Sequence, residues 1–225
     1  MSAALVAATV AAAREAVAAR GRPRLLLSGS LDPALARAVA AAFPPLPGLV
    51  ETLAPDPLLI EDLLGRLDED FAAVLVQTPD PFGACRRLDA LAAVCGVLGV
   101  ALIVVVAEKL LLERDGPPPA DRVVVAEDSA LPAGVSAEQV VEATAALVAA
   151  LRRIPGLRVV TRDPFGTVAV HLGDDRSADA MAPALAGLAA VPLRRLWPEW
   201  SELDPVLALR LTTLGPLPDL APLGR

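Results

Sequence analysis

The reactive side chains of this 225-residue chain are few: one Lys, one His and two Cys. Lys109 is the one amine side chain that could form a Schiff base. It follows Glu108, directly after the apolar run from Ala101 to Ala107. Ligands of open α/β sheets gather at the carboxyl ends of strands, so this pair sits where a site could form. The alternative is a helix start in which Leu110, Leu111 and Leu112 are buried and Lys109 points to water. His171 ends an apolar segment, and Gly173, Asp174 and Asp175 could orient it as a general base. No nucleophile is paired with it in sequence, so a structural role serves as well. Ser28-Gly29-Ser30 could hold an anion on backbone N–H groups at a strand-to-helix turn, or simply cap the helix. Trp197 and Trp200 flank Pro198-Glu199 and could dock a partner or fill the seam between two lobes.

Several chemistries are excluded. There is no G-x-G-x-x-G, no G-x-x-x-x-G-K-[ST] and no G-x-S-x-G. One His and two Cys cannot build a multi-His or multi-Cys metal cage within one chain. A net charge of −7 supplies no field for nucleic acid or an anionic membrane. Cys85 and Cys95 fall on one predicted helix, about 15 Å apart along its axis and beyond disulfide reach. A reduced, cytoplasmic protein is expected. Met1 to Arg20 lacks a basic start and is interrupted by Arg14 and Glu15, unlike a signal peptide. Leu91 to Ala107 carries no charge, but it is shorter than the roughly 20 residues a spanning helix needs. Gly96 and Gly99 interrupt it, and a helix end, a turn and a buried strand explain it better. Apolar residues are 55 % and charged residues 21 %, which excludes a disordered chain. With four Phe, two Trp and no Tyr, the core must be built from Ala, Val and Leu.

The elements that position these residues alternate. A helix is predicted over Ala3 to Arg20, then a strand over Arg24 to Ser28 and a helix over Ala34 to Phe43 capped by Ser30 or Asp32. A strand follows at Leu49 to Leu53 and a short helix at Pro57 to Leu67. Phe71 to Gln77 and Ala101 to Ala107 are continuous apolar strands, the mark of a sheet covered on both faces, with a helix from Ala84 to Leu98 between them. Asp121 to Ala126 is a further strand. The first part is therefore an α/β layer with a mostly parallel sheet, expected over residues 1–134. The second, over residues 135–225, is a small α+β lobe. Its elements are a helix from Ser136 to about Ile154, strands at Leu157 to Thr161 and Thr167 to Leu172, a helix from Ser177 to Leu188, a strand at Val206 to Thr212 and an extended tail from Gly215. Asp-Pro-Phe-Gly occurs at 80–83 and 163–166 and reads as recurrent turn chemistry.

The segment Val74-Leu75-Val76-Gln77-Thr78-Pro79-Asp80-Pro81-Phe82-Gly83 resembles the V-V-Q-x-P-N-x-F-G loop of glycine dehydrogenase (decarboxylating), the P-protein of the glycine cleavage system, in its N-terminal half or subunit 1. Gly99 to Glu108 is similar to that family's G-A-L-L-I-V-x-V-D strand, and Arg22 to Pro33 to its strand and His-Pro turn, with Asp32 where His is usual. Ala120 to Glu127 resembles A-D-I-V-V-G-E, and Pro155-Gly156-Leu157 and Trp197-Pro198-Glu199 to Thr212 resemble C-terminal segments. The resemblance implies the large domain of fold type I transferases dependent on pyridoxal phosphate (PLP), followed by the small lobe. It also implies a shared site to which Gln77, Asp80, Phe82 and Glu108 would contribute, Glu108 beside the pyridine nitrogen. The departures point elsewhere. The family's long N-terminal arm and Gly-rich S-F-G-G-P stretch are missing, the phosphate-facing helix start falls on the apolar Ala4 to Ala8, and the loop Asn is Asp80. The Schiff-base Lys of the family lies in its other half or partner subunit, so this chain alone is expected to bind no cofactor. A non-catalytic scaffold is expected, pairing with itself as a homo-oligomer or with a PLP-enzyme partner subunit. The alternatives are an active component lending loop residues to a glycine decarboxylation site, and a small-molecule-binding α/β domain.

Overall fold

The structure, a computed structural model, describes residues 2–55, 63–126, 131, 134–185, 188–214, 216–217 and 219–224. The chain divides into two compact units: Met1–Asp80 with Arg86–Asp128, and Pro81–Cys85 with Ser129–Arg225.

The first unit begins with α1, Ala3–Arg20, built on strong helix formers. The Ser2 hydroxyl caps it by accepting from the Leu5 N–H at 3.2 Å, and Gly21 ends it in the left-handed region at φ 65°. There follow β1 Arg24–Leu27, α2 Pro33–Ala41, β2 Val50–Thr52, α3 Leu63–Arg66, β3 Phe71–Thr78, α4 Asp89–Leu98, β4 Ala101–Val106, α5 Leu110–Asp115 and β5 Arg122–Val125. The Asp32 carboxylate caps α2 by accepting from Ala34 and Leu35, with Pro33 in the first turn where its missing N–H costs nothing. All pairings are parallel, in the order β2-β1-β3-β4-β5. Leu25, Leu27, Leu75, Ile103 and Val105 pack with Ala13, Leu35 and Val39 from α1 and α2. The residues of opposite parity, Leu26, Val74, Leu102 and Val104, are equally buried, so both faces of the central strands are covered.

One expectation needs correcting here. The helix expected from Ala84 begins at Asp89, so Cys85 is not on it. Residues 81–85 instead belong to the second unit, where Ala84 bridges Pro164; Pro81 and Gly83, the latter in the left-handed region at φ 86°, do not suit a helix. Of the helix expected at Pro57 to Leu67, only Leu63–Arg66 is seen; residues 57–62 lie outside the described residues.

In the second unit α6, Ala137–Leu151, opens with a capping box between Ser136 and Gln139. β6 Arg158–Val159, β7 Thr167–His171, α7 Ala178–Met181, β8 Leu188–Pro192 and β9 Val206–Leu211 complete it. The sheet is antiparallel, ordered β6-β7-β9-β8. Helix α6 packs on β6 and β7. A separate cluster gathers Phe82, Val160, Ala169, Leu193, Trp197, Leu203, Val206 and Ala208. The helix expected from Ser177 to Leu188 is only the short α7 and a 3-10 turn at Ala182–Ala184, because Pro183 cannot continue an α-helix. Leu188 then opens β8, a strand absent from the sequence reading; its Ala-rich, Pro-ended composition carries little strand preference.

Candidate functional site

Among the described residues of the first unit, the buried polar side chains are Thr9, Ser28, Ser30, Gln77, Thr78, Asp80 and Glu108. All but Thr9 stand at or just past the carboxyl ends of β1, β3 and β4. Strand order reverses between β1 and β3, and the crevice beyond such a reversal is where doubly wound sheets take ligands. Burying polar atoms costs free energy unless each finds a partner, so their concentration at one end of an otherwise Val/Leu/Ala sheet marks the candidate site.

Gln77 ties the two loops of the crevice together. Its Oε1 accepts from the Asp32 N–H at 2.9 Å, and its Nε2 donates to the Pro79 carbonyl at 3.2 Å, just past a cis Thr78–Pro79 bond. Asp80, its carboxylate 2 % exposed, accepts from Arg86 at 3.4 Å. The same guanidinium nitrogen of Arg86 donates to the Ser30 hydroxyl at 2.5 Å. The Arg86 backbone N–H donates to Thr78 Oγ1 at 3.4 Å. The Ser30 N–H donates to Ser28 Oγ at 3.2 Å, closing the turn. A Cβ on Gly29 would lie 2.1 Å from the Ala54 carbonyl oxygen, so only glycine lets the chain pass here.

Of the residues expected at a shared site, Gln77 and Asp80 thus sit in one hydrogen-bonded cluster. Glu108 is buried at the end of the next strand, where its Oε1 accepts from the Leu110 N–H at the start of α5. Phe82 belongs to the second unit, stacked on Trp197 with ring centroids 5.2 Å apart and planes 6° from parallel. Lys109 is exposed, as the outward alternative had it. Arg86 was missed by the sequence reading. Its only signal was a basic pair, Arg86-Arg87, close behind a Pro-rich loop that carries Asp80.

The other candidates resolve into structure. The Ser28–Ser30 turn is internal to the crevice, and Asp32 rather than Ser30 caps α2. His171 Nδ1 accepts from the Gly173 N–H at 3.1 Å, and Nε2 lies 3.8 Å from Asp174. Burial, then the positive Arg158, hold its pKa below the ordinary value. Burial, with Asp121 adding to it, pushes the Cys95 thiol up to about 11, which keeps it protonated and unreactive. Trp197 is buried in the core of the second unit, and Trp200 packs against the same cluster. No three His, Cys, Asp or Glu among the described residues group as a metal site, and no helix among them is long and apolar enough to cross a membrane.

The repeated Asp-Pro-Phe-Gly is more than turn chemistry. The second copy runs antiparallel to the segment from Gly83, the last residue of the first copy, to Cys85: Cys85 N–H donates to the Asp163 carbonyl at 3.1 Å, Phe165 N–H to the Gly83 carbonyl at 3.0 Å, and Ala84 bridges Pro164. The Thr161 hydroxyl donates to the Phe82 carbonyl and accepts from the Ala169 N–H, each at 2.6 Å. Gly83, at φ 86°, has no room for a side chain: a Cβ would lie 2.0 Å from the Thr167 carbonyl oxygen.

No protein-family model matches the chain. It is 40% identical over 122 residues to a probable glycine dehydrogenase (decarboxylating) subunit 1 of Rhodospirillum rubrum, covering 53% of this chain and 27% of that protein. The protein of the same name from Rhodospirillum centenum is 43% identical over 97 residues, covering 43% of this chain and 22% of the relative. The matched stretch thus spans about a quarter of the length of these curated relatives. Among solved structures, glycine decarboxylase (P-protein) of the glycine cleavage system in inhibitor-bound form superposes with a TM-score of 0.71 at 19% identity, covering 98% of this chain and 67% of that one. An aminotransferase from Mycobacterium tuberculosis gives 0.57 at 16% identity, covering 87% and 66%. The fold is therefore that of the PLP-dependent transferases of fold type I, and about half of the sequence is homologous to glycine dehydrogenase (decarboxylating) subunit 1.

Proposed function

We propose that this chain is a non-catalytic relative of glycine dehydrogenase subunit 1, a scaffold that pairs with a PLP-bearing chain or with a second copy of itself in the cytoplasm. One observation carries the reading: the polar side chains at the sheet's ligand-binding end are engaged within the chain itself, on backbone groups or on one another. Gln77 is spent on Asp32 and Pro79, and Asp80 and Ser30 on Arg86. The remaining groups do not fit PLP. A cradle for that cofactor needs an amine in the crevice and phosphate donors at a helix start. Lys109 is exposed, and α1 opens on Ser2, whose hydroxyl already caps Leu5, followed by Ala3 and Ala4.

The test is a PLP titration of the purified chain followed by absorbance, together with size-exclusion chromatography alone and with a PLP-bearing glycine decarboxylase subunit. No band from bound PLP, and a complex in one of the two mixtures, is the expected result. A PLP band that vanishes in Lys109→Ala, or a strictly monomeric chain that joins no such subunit, overturns the reading.

The buried Glu108 carboxylate at the end of β4 favours one competing reading, in which Gln77, Asp80, Phe82 and Glu108 complete a glycine decarboxylation site in an assembly. A gain in glycine-dependent CO2 exchange on adding this chain to the catalytic subunit, lost in Glu108→Gln, would select it.

A further inference from the structure

The crevice between β1 and β3 is not an empty polar pocket. A charged group already stands in it, and that group comes from the same chain. Arg86 lies beyond the loop that leaves β3, and its side chain is 19 % exposed. It reaches the Ser30 hydroxyl, 56 residues away in sequence, and the nearly inaccessible Asp80 carboxylate. Both of these partners accept hydrogen bonds from a donor-only group. The turn that presents Ser30 is itself held by Ser28, and the loop that presents Asp80 is held by Gln77. The acceptors are therefore positioned by neighbours rather than by Arg86 alone.

We infer that this crevice is a guanidinium site, filled by the Arg86 side chain of the same chain. Its chemistry selects a donor-only cation. The buried Asp80 carboxylate repels phosphate and carboxylate ligands, while one nitrogen of the guanidinium, Nη2, serves the Ser30 hydroxyl and the Asp80 carboxylate together. The cation that stands there is an alkylguanidinium, and the intact protein supplies its own. This goes beyond the scaffold reading and stands on the first unit alone; partner capture and the PLP titration are unaffected by its failure.

The experiment removes the tethered guanidinium and offers a free one. Arg86→Ala is melted with methylguanidinium chloride and, at equal ionic strength, with tetramethylammonium chloride. With a Kd of about 10 mM, methylguanidinium at about 50 mM raises the Tm of the variant by roughly 3 °C relative to the control salt. The wild-type protein shows no such difference, and adding Asp80→Asn to Arg86→Ala abolishes it. An equal response of wild type and Arg86→Ala, no response in Arg86→Ala, or a response that survives in the double variant overturns the inference. If Arg86→Ala does not fold, nitrogen-15 NMR of the wild-type guanidinium groups decides. Slow solvent exchange at the Arg86 Nη protons supports the site, and exchange as fast as at the exposed Arg87 overturns it.

Discussion

Each of the two units is closed by a buried cluster, and the two clusters work by opposite means. In the first, Arg86 bonds Asp80 and Ser30 while Gln77 holds the backbone of the two loops, at the end of a sheet that is otherwise apolar. In the second, Phe82 stacks on Trp197 within a cluster of apolar residues. The polar cluster contributes modest net stability when whole, yet losing one member leaves the others desolvated and unsatisfied. The apolar cluster stabilises in proportion to the surface it buries, so each truncation removes contacts and leaves a cavity. Partner identity governs the first cluster and volume governs the second.

Substitutions can break or sharpen this contrast. The largest effect is expected at Gly83→Ala, where a Cβ meets the Thr167 carbonyl and the backbone must also hold φ 86°. A loss of about 4 kcal/mol or more in urea unfolding is expected, and a loss under about 1 kcal/mol would mean that the segment 81–85 does not seat against β7 as described. Trp197→Ala removes the stacking partner of Phe82 and should cost about 3–4 kcal/mol. A double-mutant cycle with Phe82→Ala should return a coupling of about 1 kcal/mol, the added value of the ring pair. Asp80→Ala strands a mostly buried guanidinium, and about 2 kcal/mol is expected once partial solvent access to Arg86 is allowed for. Unlike the Trp197 case, combining it with Arg86→Ala should recover part of the loss. Strict additivity would show that the polar cluster is not a unit.

Asp32→Ala removes the α2 cap and is expected to cost about 1 kcal/mol. The smallest effect is pH-dependent. His171 has its pKa lowered in the folded protein, so the folded state binds fewer protons than the unfolded state. That contribution is present above the ordinary pKa of 6.5 and is lost as pH falls through the lowered value. Replacing His171 with Asn should flatten the slope of stability between neutral and mildly acidic pH. An unchanged slope would place the titration elsewhere.

The sheet of the first unit was largely legible. Phe71 to Thr78 and Ala101 to Val106 are unbroken apolar runs, and a strand hidden on both faces can be little else. Helix α1 was read to the residue from its run of strong helix formers, and the Ser2 cap and terminal Gly21 agree with it. The second unit was harder. Strand β8, Leu188–Pro192, has no pattern of its own and exists through pairing with β9, while Pro183 cut short a helix that Ala and Met favoured. Gln77, Asp80 and Glu108 were named from loop position and resemblance and lie buried at the carboxyl end of the sheet, Phe82 lies in the core of the second unit, and Arg86 left no periodic signal.

Local chemistry along the chain was enough to establish the alternation of elements, helix starts at Ala3, after Ser30 or Asp32 and at Ser136, and an Ala/Val/Leu core, because each depends on residues within about one helical turn or on a period of two. Folding in three dimensions was needed to bring Arg86 to Ser30, to pair Ala84 with Pro164 and to seat Phe82 on Trp197. Those pairings join residues 56 to 115 positions apart in the chain. Their free energy comes from groups that meet only after the intervening chain has been ordered, so no short stretch of sequence carries their signature.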